Sequence, residues 1–296
     1  MDQSISTDGS DGPGKLPPQL LERVLGGLGF AEVPEPLFEN LRAIYAAWCQ
    51  RVPFDNVRKL IHVRAGSSGP LPGSTAEDFL EAWLKHGTGG TCWAGASAFH
   101  ALLASLGFEV ARGVGTMLVA PDLPPNHGSV RVSLGEARYL VDCSILHGEP
   151  LRLEEDAETR IEHPAWGVRC SMRDGRWHVW WRPLQKPDGF ECRLERFGAT
   201  QRKFQNFHER TRGWSPFNYE VTARINRGER VVGLAFGKAV SLEANKSFRE
   251  RIVTHAERIR FLIEDLRLNE EIVNQLPEDI GTPPSPDSRT AQAAAK

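Results

Sequence analysis

Three residues of this chain have the types and settings of an activated thiol: Cys92, His127 and Asp142. Cys92 follows the loop Gly87-Thr88-Gly89-Gly90-Thr91 and leads into a run that reads as a helix, with Phe99, Leu102, Leu103 and Leu106 on one face and Gly107 ending it. The cysteine therefore sits at a helix N-terminus. Unpaired backbone N–H groups and the positive end of the helix dipole there favour the thiolate, which is the nucleophilic form. Taken alone, the stretch also fits a cysteine that only fills core space.

The histidine and the aspartate come from one hairpin. Residues 126–145 alternate apolar and polar around Gly135-Glu136, a two-residue turn with glycine at its first central position. This turn sets Leu134 opposite Ala137, Val132 opposite Tyr139 and Val130 opposite Val141, apolar against apolar throughout. Asp142 then faces Ser129, and His127 lies two residues along the same face. Diagonal neighbours of this kind are ~7–8 Å apart at the backbone, within reach of an imidazole and a carboxylate. A His–Asp pair by itself is more often structural. With a thiol at a helix start it supplies the base and the orienting acid of a nucleophile triad. No spacing rule brings Cys92 to His127, so the fold must do so.

Stepping along the chain, residues 1–18 are rich in Gly, Ser, Asp and Pro and read as a disordered leader. Leu20, Leu21, Val24 and Leu25 recur at helical spacing before Gly26, Gly27 and Gly29, and a second helix is expected over 35–50 with Leu37, Leu41, Ile44 and Trp48 on one side. Pro53 breaks this helical lobe, residues 66–74 form a loop, and Thr75 caps a further helix toward Lys85. Beyond Gly107 the period becomes alternating, as expected of antiparallel β-structure. Strands are expected at 151–153 and 169–181, where Trp177, Val179 and Trp181 read as core rather than as a substrate platform. Residues 202–214 read as polar and irregular, 219–224 and 231–236 as a strand pair, 241–266 as one long helix with Phe248, Ile252, Ile259, Leu262 and Leu266 in a stripe, and 282–296 as a disordered tail. The expected organisation is leader 1–18, helical bundle 19–107, β-barrel 108–200, α/β lid 201–281 and tail 282–296, an α+β fold.

Composition narrows the function. The 296 residues carry a formal net charge of −2 with both signs interspersed, which gives no footprint for nucleic acid or an anionic membrane. No apolar run approaches the ~20 residues that cross a bilayer, and the acidic start does not read as a signal peptide, so the expected location is the cytoplasm. Five cysteines without C-x-x-C spacing argue against a disulfide framework or a zinc knuckle, and His62, His86, His100, His147, His163, His178, His208 and His255 lack ligand spacing, so no metal is expected. Gly113-Val114-Gly115 is better explained by a strand bulge than by phosphate contact.

Arg51-Val52-Pro53-Phe54-Asp55-Asn56, Gly89-Gly90-Thr91-Cys92, His127 and Tyr139-Leu140-Val141-Asp142, in that order, resemble the arylamine N-acetyltransferase family, and Ser215-Pro216-Phe217 resembles its third lobe. The resemblance implies a helical bundle, a β-barrel and an α/β lid with a papain-like Cys-His-Asp arrangement between the first two. It implies Cys92 as the acyl-accepting nucleophile, His127 as its base, Asp142 as the orienting acid and Phe217 at the acceptor pocket. It also implies ping-pong transfer from a thioester such as acetyl-CoA to an arylamine, hydrazine or other amine, with no bound cofactor. Thr88 replaces the family's usual arginine, Asp55 a longer glutamate, and Ala94 and Ala96 polar residues. These changes fit a different donor or acceptor, including the carrier-protein-bound acyl chains used by related amide synthases. A thiol hydrolase or transglutaminase-like enzyme and a non-catalytic binding scaffold are the competing readings.

Overall fold

The computed structural model describes residues 14–119, 123–186 and 188–286. Most of the leader and tail read from sequence lies outside them. The expected boundaries are nevertheless too generous: Leu16 is buried and its N–H donates to Ser105 Oγ (2.8 Å), while Trp214 Nε1 donates to the Pro283 carbonyl (3.2 Å). Both ends are held by apolar and hydrogen-bonding contacts that composition does not reveal.

The first lobe contains α1 (Pro18–Leu28), α2 (Phe38–Arg51), the short strand β1 (Phe54–Asp55), α3 (Val57–Arg64), α4 (Ala76–His86) and α5 (Cys92–Ser105). α1 runs through Gly26 and Gly27 and is ended only by Gly29, which takes a left-handed φ of 92°. Thr75 caps α4 by accepting from the Asp78 N–H (3.1 Å), as its sequence predicts. α5 carries no solvent face. Every residue from Cys92 to Ala104 is buried, so the expected one-sided stripe is instead a helix surrounded by Trp48, Phe79, Val130 and Phe204.

The barrel follows as β2 (Glu109–Met117), β3 (His127–Leu134), β4 (Ala137–Val141), β5 (Leu151–Arg152), β6 (Thr159–Ile161), β7 (Val168–Arg173), β8 (Arg176–Trp181) and β9 (Phe190–Phe197). The sheet order is β5-β4-β3-β2-β9-β8-β7-β6, and its edges meet where the Thr159 hydroxyl donates to the Arg152 carbonyl (2.6 Å), which nearly closes the barrel. The β3–β4 register is Val130↔Val141, Val132↔Tyr139 and Leu134↔Ala137, with Gly135 at φ 59°. The turn and the apolar pairing thus fix the register as read. Pairing of β2 with β9 slips between Val114 and Gly115, the bulge expected of the paired glycines. Trp177, Val179 and Trp181 are buried in the barrel core.

The third lobe holds α6 (Gln201–Arg210), β10 (Ala223–Arg227), β11 (Arg230–Ala235), β12 (Lys238–Leu242), β13 (Phe248–Ile252), α7 (His255–Glu264) and α8 (Glu270–Val273). Two expectations fail here. Residues 202–214, read as irregular, contain α6, capped by Thr200 and buried through Phe204 and His208. The long helix expected over 241–266 is instead the end of β12, β13 and a short α7. Leu242 pairs with Phe248 across a turn in which Lys246 takes φ 65°, and Thr254 and Glu257 form a capping box that starts α7 afresh. The sheet order β1-β10-β11-β12-β13 is the link back to the first lobe, because β1 is its edge strand and Asp55 lies opposite Ala223.

Candidate active site

Cys92 opens α5, and Thr91 precedes it in extended conformation with no side-chain cap, so the first N–H groups of the helix have no side-chain acceptor. The loop in front of it is held from β1. Asp55 accepts the Gly89 N–H through Oδ2 (2.6 Å) and the Val57 N–H through Oδ1 (2.9 Å), and Gly90 bridges to Phe54. Gly89 is required by this close approach, since a Cβ there would lie 1.8 Å from the Pro53 carbonyl oxygen. Burial pushes the Asp55 carboxyl up to about 6, opposed by the two N–H donors and the charge of Arg58. Backbone N–H groups are thus the hydrogen-bond partners of Asp55, the residue that replaces the family's longer glutamate. Thr88 is buried beside them with Oγ1 lacking a hydrogen-bond partner among the described residues.

His127 is the first residue of β3, and Gly128 beside it lets the strand approach α5. A Cβ at Gly128 would lie 2.7 Å from Trp93 Cε3 and 3.2 Å from Trp93 Cα. The Trp93 ring is fixed in turn by α6, stacked on Phe207 at 4.8 Å and edge-on to Phe204 at 5.1 Å. His127 Nε2 lies 2.7 Å from Asp142 Oδ2 with both side chains buried. Cys92 is close enough to bear on the His127 imidazole, which it helps to keep protonated. The Cys92 thiol meets the Asn126 carbonyl as well, at 3.7 Å.

Asp142 is held on every side. Oδ1 accepts the N–H groups of Ser144 (2.9 Å) and Ile145 (3.0 Å), while the Tyr45 hydroxyl donates to the Asp142 carbonyl (2.7 Å) and accepts its N–H (3.1 Å). Burial alone raises this carboxyl. The charge and hydrogen bond of His127, joined by the Ile145 N–H, outweigh it and hold Asp142 down at about 2. Burial likewise pulls the His127 imidazolium down, and the Asp142 charge and hydrogen bond, with Cys92, carry it up to about 10. At neutral pH the pair is therefore imidazolium and carboxylate, next to a sulfur at a helix N-terminus. That arrangement can generate a nucleophilic thiolate and return a proton to a leaving group.

Phe217 lies in a single 3-10 turn, Pro216–Asn218, half-buried, with its ring edge-on to Phe54 at 5.4 Å. Among the described residues no group of three or more His, Cys, Asp or Glu could hold a metal, and no helix is long and apolar enough to cross a membrane. Sequence reasoning passed over Lys59 on α3. It is 4% exposed and its Nζ has no hydrogen-bond partner among the described residues. Only its place between the buried Val57 and Leu60 hints at this, and a lysine between apolar residues on a short helix ordinarily reaches water.

The fold is that of the arylamine N-acetyltransferases. The enzyme from Mycobacterium abscessus is similar at a TM-score of 0.72 and 18% identity, covering 86% of this chain and 93% of that one. The Mycobacterium marinum enzyme in complex with CoA gives 0.73 and 18% over 86% and 96%, and the Salmonella typhimurium enzyme 0.71 and 16% over 93% and 97%. A family model described as N-acetyltransferase matches residues 38–221, which shows that the chain belongs to that family. No curated protein sequence matches it.

Proposed function

We propose that the protein transfers an acyl group, ordinarily acetyl, from a thioester such as acetyl-CoA through Cys92 to an arylamine, hydrazine or other amine. The observation that carries this reading is the convergence of a helix-start thiol with a fully buried His127–Asp142 pair at 2.7 Å. The Cys92 thiolate attacks the thioester carbonyl carbon, and first-turn N–H groups of α5 are placed to receive the oxyanion. The carbon–sulfur bond to the donor breaks, and the departing thiolate takes the proton held by His127. The amine nitrogen then attacks the Cys92 thioester, His127 accepts the amine proton, and the amide leaves as the thiolate re-forms. Asp142 keeps the imidazole oriented and offsets its charge in both halves. Carrier-bound acyl chains are alternative donors by the same chemistry. CoA is bound by the M. marinum neighbour, which supports a coenzyme A thioester here.

Intact-protein mass after incubation with acetyl-CoA tests the reading. A gain of one acetyl group in the native protein, absent in Cys92→Ala and discharged by an amine, is the expected result. No adduct with acetyl-CoA or any longer acyl thioester overturns it.

A further inference from the structure

Lys59 is a buried charged side chain close enough to Cys92 to feel it, and the triad chemistry leaves it unused. Its side chain comes from α3, which packs against the Pro216–Asn218 turn that carries Phe217. Burial pulls the ammonium down to about 7, and only the negative charges of Cys92 and Glu209 oppose this. Neither is free to answer it. Glu209 on α6 is already engaged by the Arg212 guanidinium and the Leu71 N–H (3.0 Å). Cys92 is engaged with His127, and in the acyl-transfer reading its sulfur carries no charge once acylated. His208, the other titratable group against Lys59, is pushed by burial to about 4, so it is neutral at pH 7, and its Nε2 meets the Pro72 carbonyl (3.0 Å). A buried amine with no acceptor is unfavourable in the resting protein. It becomes favourable when a ligand brings an anion.

We infer that Lys59 is a substrate-recognition residue whose Nζ binds a carboxylate carried by the substrate at Cys92, so that this enzyme prefers an acidic acyl group or an acidic amine over its uncharged counterpart. This rests on the acyl-transfer reading for the identity of the substrate, but recognition itself does not require transfer. The carboxylate has two possible sources, the acyl half and the acceptor half, and the same chemistry serves both. A charge-assisted hydrogen bond in a site that excludes water corresponds to roughly tenfold or more in affinity.

The test uses matched pairs on the native chain. Equilibrium binding of 4-aminobenzoate against aniline reads the acceptor half, and the rate of Cys92 acylation by succinyl-CoA against butyryl-CoA reads the acyl half. Expected is a preference of about tenfold or more for the acidic member of at least one pair, lost in Lys59→Met or Lys59→Gln and kept in Lys59→Arg. The half that shows it names the source. No preference in either pair, or one that survives Lys59→Met and Lys59→Gln, overturns the inference. So does acylation found on Lys59 itself by peptide mapping, which makes it a nucleophile. If one variant does not fold, the other and the native pairs decide. Absence of any adduct with acetyl-CoA while 4-aminobenzoate is still preferred sinks the transferase reading and leaves carboxylate recognition standing.

Discussion

His127 Nε2 lies 2.7 Å from Asp142 Oδ2, and the other oxygen of that carboxylate is taken by the Ser144 and Ile145 N–H groups. The carboxylate therefore cannot rotate away, and the imidazole is fixed through Nε2 in the neighbourhood of Cys92. In Asp142→Asn burial still penalises the imidazolium and Cys92 alone is left to oppose it, so the hold of His127 on its proton weakens. Acylation by acetyl-CoA should fall by roughly 100-fold or more. The sign of the stability effect follows from linkage. His127 is raised to about 10, so its contribution is complete below its ordinary value near ~6.5 and is lost as pH rises through about 10. The advantage of the native protein over Asp142→Asn in thermal melts should shrink across that interval.

Cys49 and Cys170 are pushed up to about 12 by burial, and Cys143 and Cys192 are also raised well above the ordinary thiol range by burial. Brief treatment of the native protein with iodoacetamide near neutral pH should add one label, mapping to Cys92 and absent from Cys92→Ala. Labelling spread over several cysteines would contradict the site described.

Gly128 sets the distance between β3 and α5. An alanine there would bring its Cβ to 2.7 Å from the Trp93 ring and 3.2 Å from its Cα, so the strand or the helix must shift. Gly128→Ala should cost about 1–3 kcal/mol of stability. It should also slow acylation disproportionately, because the shift separates His127 from Cys92. Chemical denaturation and acylation rate, measured together, distinguish this from simple destabilisation.

Asp55 is buried with its carboxyl raised to about 6, burial prevailing over the Gly89 and Val57 N–H groups and Arg58. A raised carboxyl contributes stability that is complete below its ordinary value near ~3.9 and is lost as pH rises through about 6. The stability of the native protein minus that of Asp55→Asn should therefore fall between about pH 4 and pH 7, by on the order of 3 kcal/mol. The amide also turns its NH2 toward one of the two backbone donors, which costs about 1–3 kcal/mol at any pH. Acylation should drop as the Gly89 loop loosens.

The hairpin was legible because two independent signals agreed: a turn that demands glycine and apolar pairs that tolerate no slip. The place of Cys92 at the start of α5 was legible from the glycines in front of it, of which Gly89 is required by its close approach to Pro53. α6 was hidden because Phe204 and Phe207 are nearly the only apolar residues in a polar helix, although Thr200 marks its start. β13 was misread because residues four apart share a face in a helix and in a strand alike, so Phe248 and Ile252 could not discriminate between the two. Ile252 is 81% exposed, which a packed helical stripe would not allow. Lys59 carried only the weak signal of standing between Val57 and Leu60, since α3 packs against the Pro216–Asn218 turn, far away in sequence.

Asn56 turns the other way from Asp55 and ties the third lobe to the first. Its Nδ2 donates to the carbonyls of Phe217 (3.0 Å) and Glu220 (2.8 Å), its Oδ1 accepts the Thr222 N–H (2.8 Å), and its own N–H donates to the Thr222 carbonyl (3.1 Å). Adjacent residues of one motif thus hold two separate segments, Asp55 the Gly89 loop before Cys92 and Asn56 the turn that carries Phe217. Removing the amide in Asn56→Ala leaves three backbone groups without partners, each costing about 1–3 kcal/mol if it stays buried. Asn56→Asp should be worse, because it sets a carboxylate oxygen against two carbonyls. If Phe217 lines the acceptor side, a variant still folded at low temperature should keep its rate of acylation by acetyl-CoA and raise the KM for the amine. Equal loss in both half-reactions would instead mean that the turn positions the Cys92 side as well, and single-turnover acylation measured beside steady-state amine saturation separates the two outcomes.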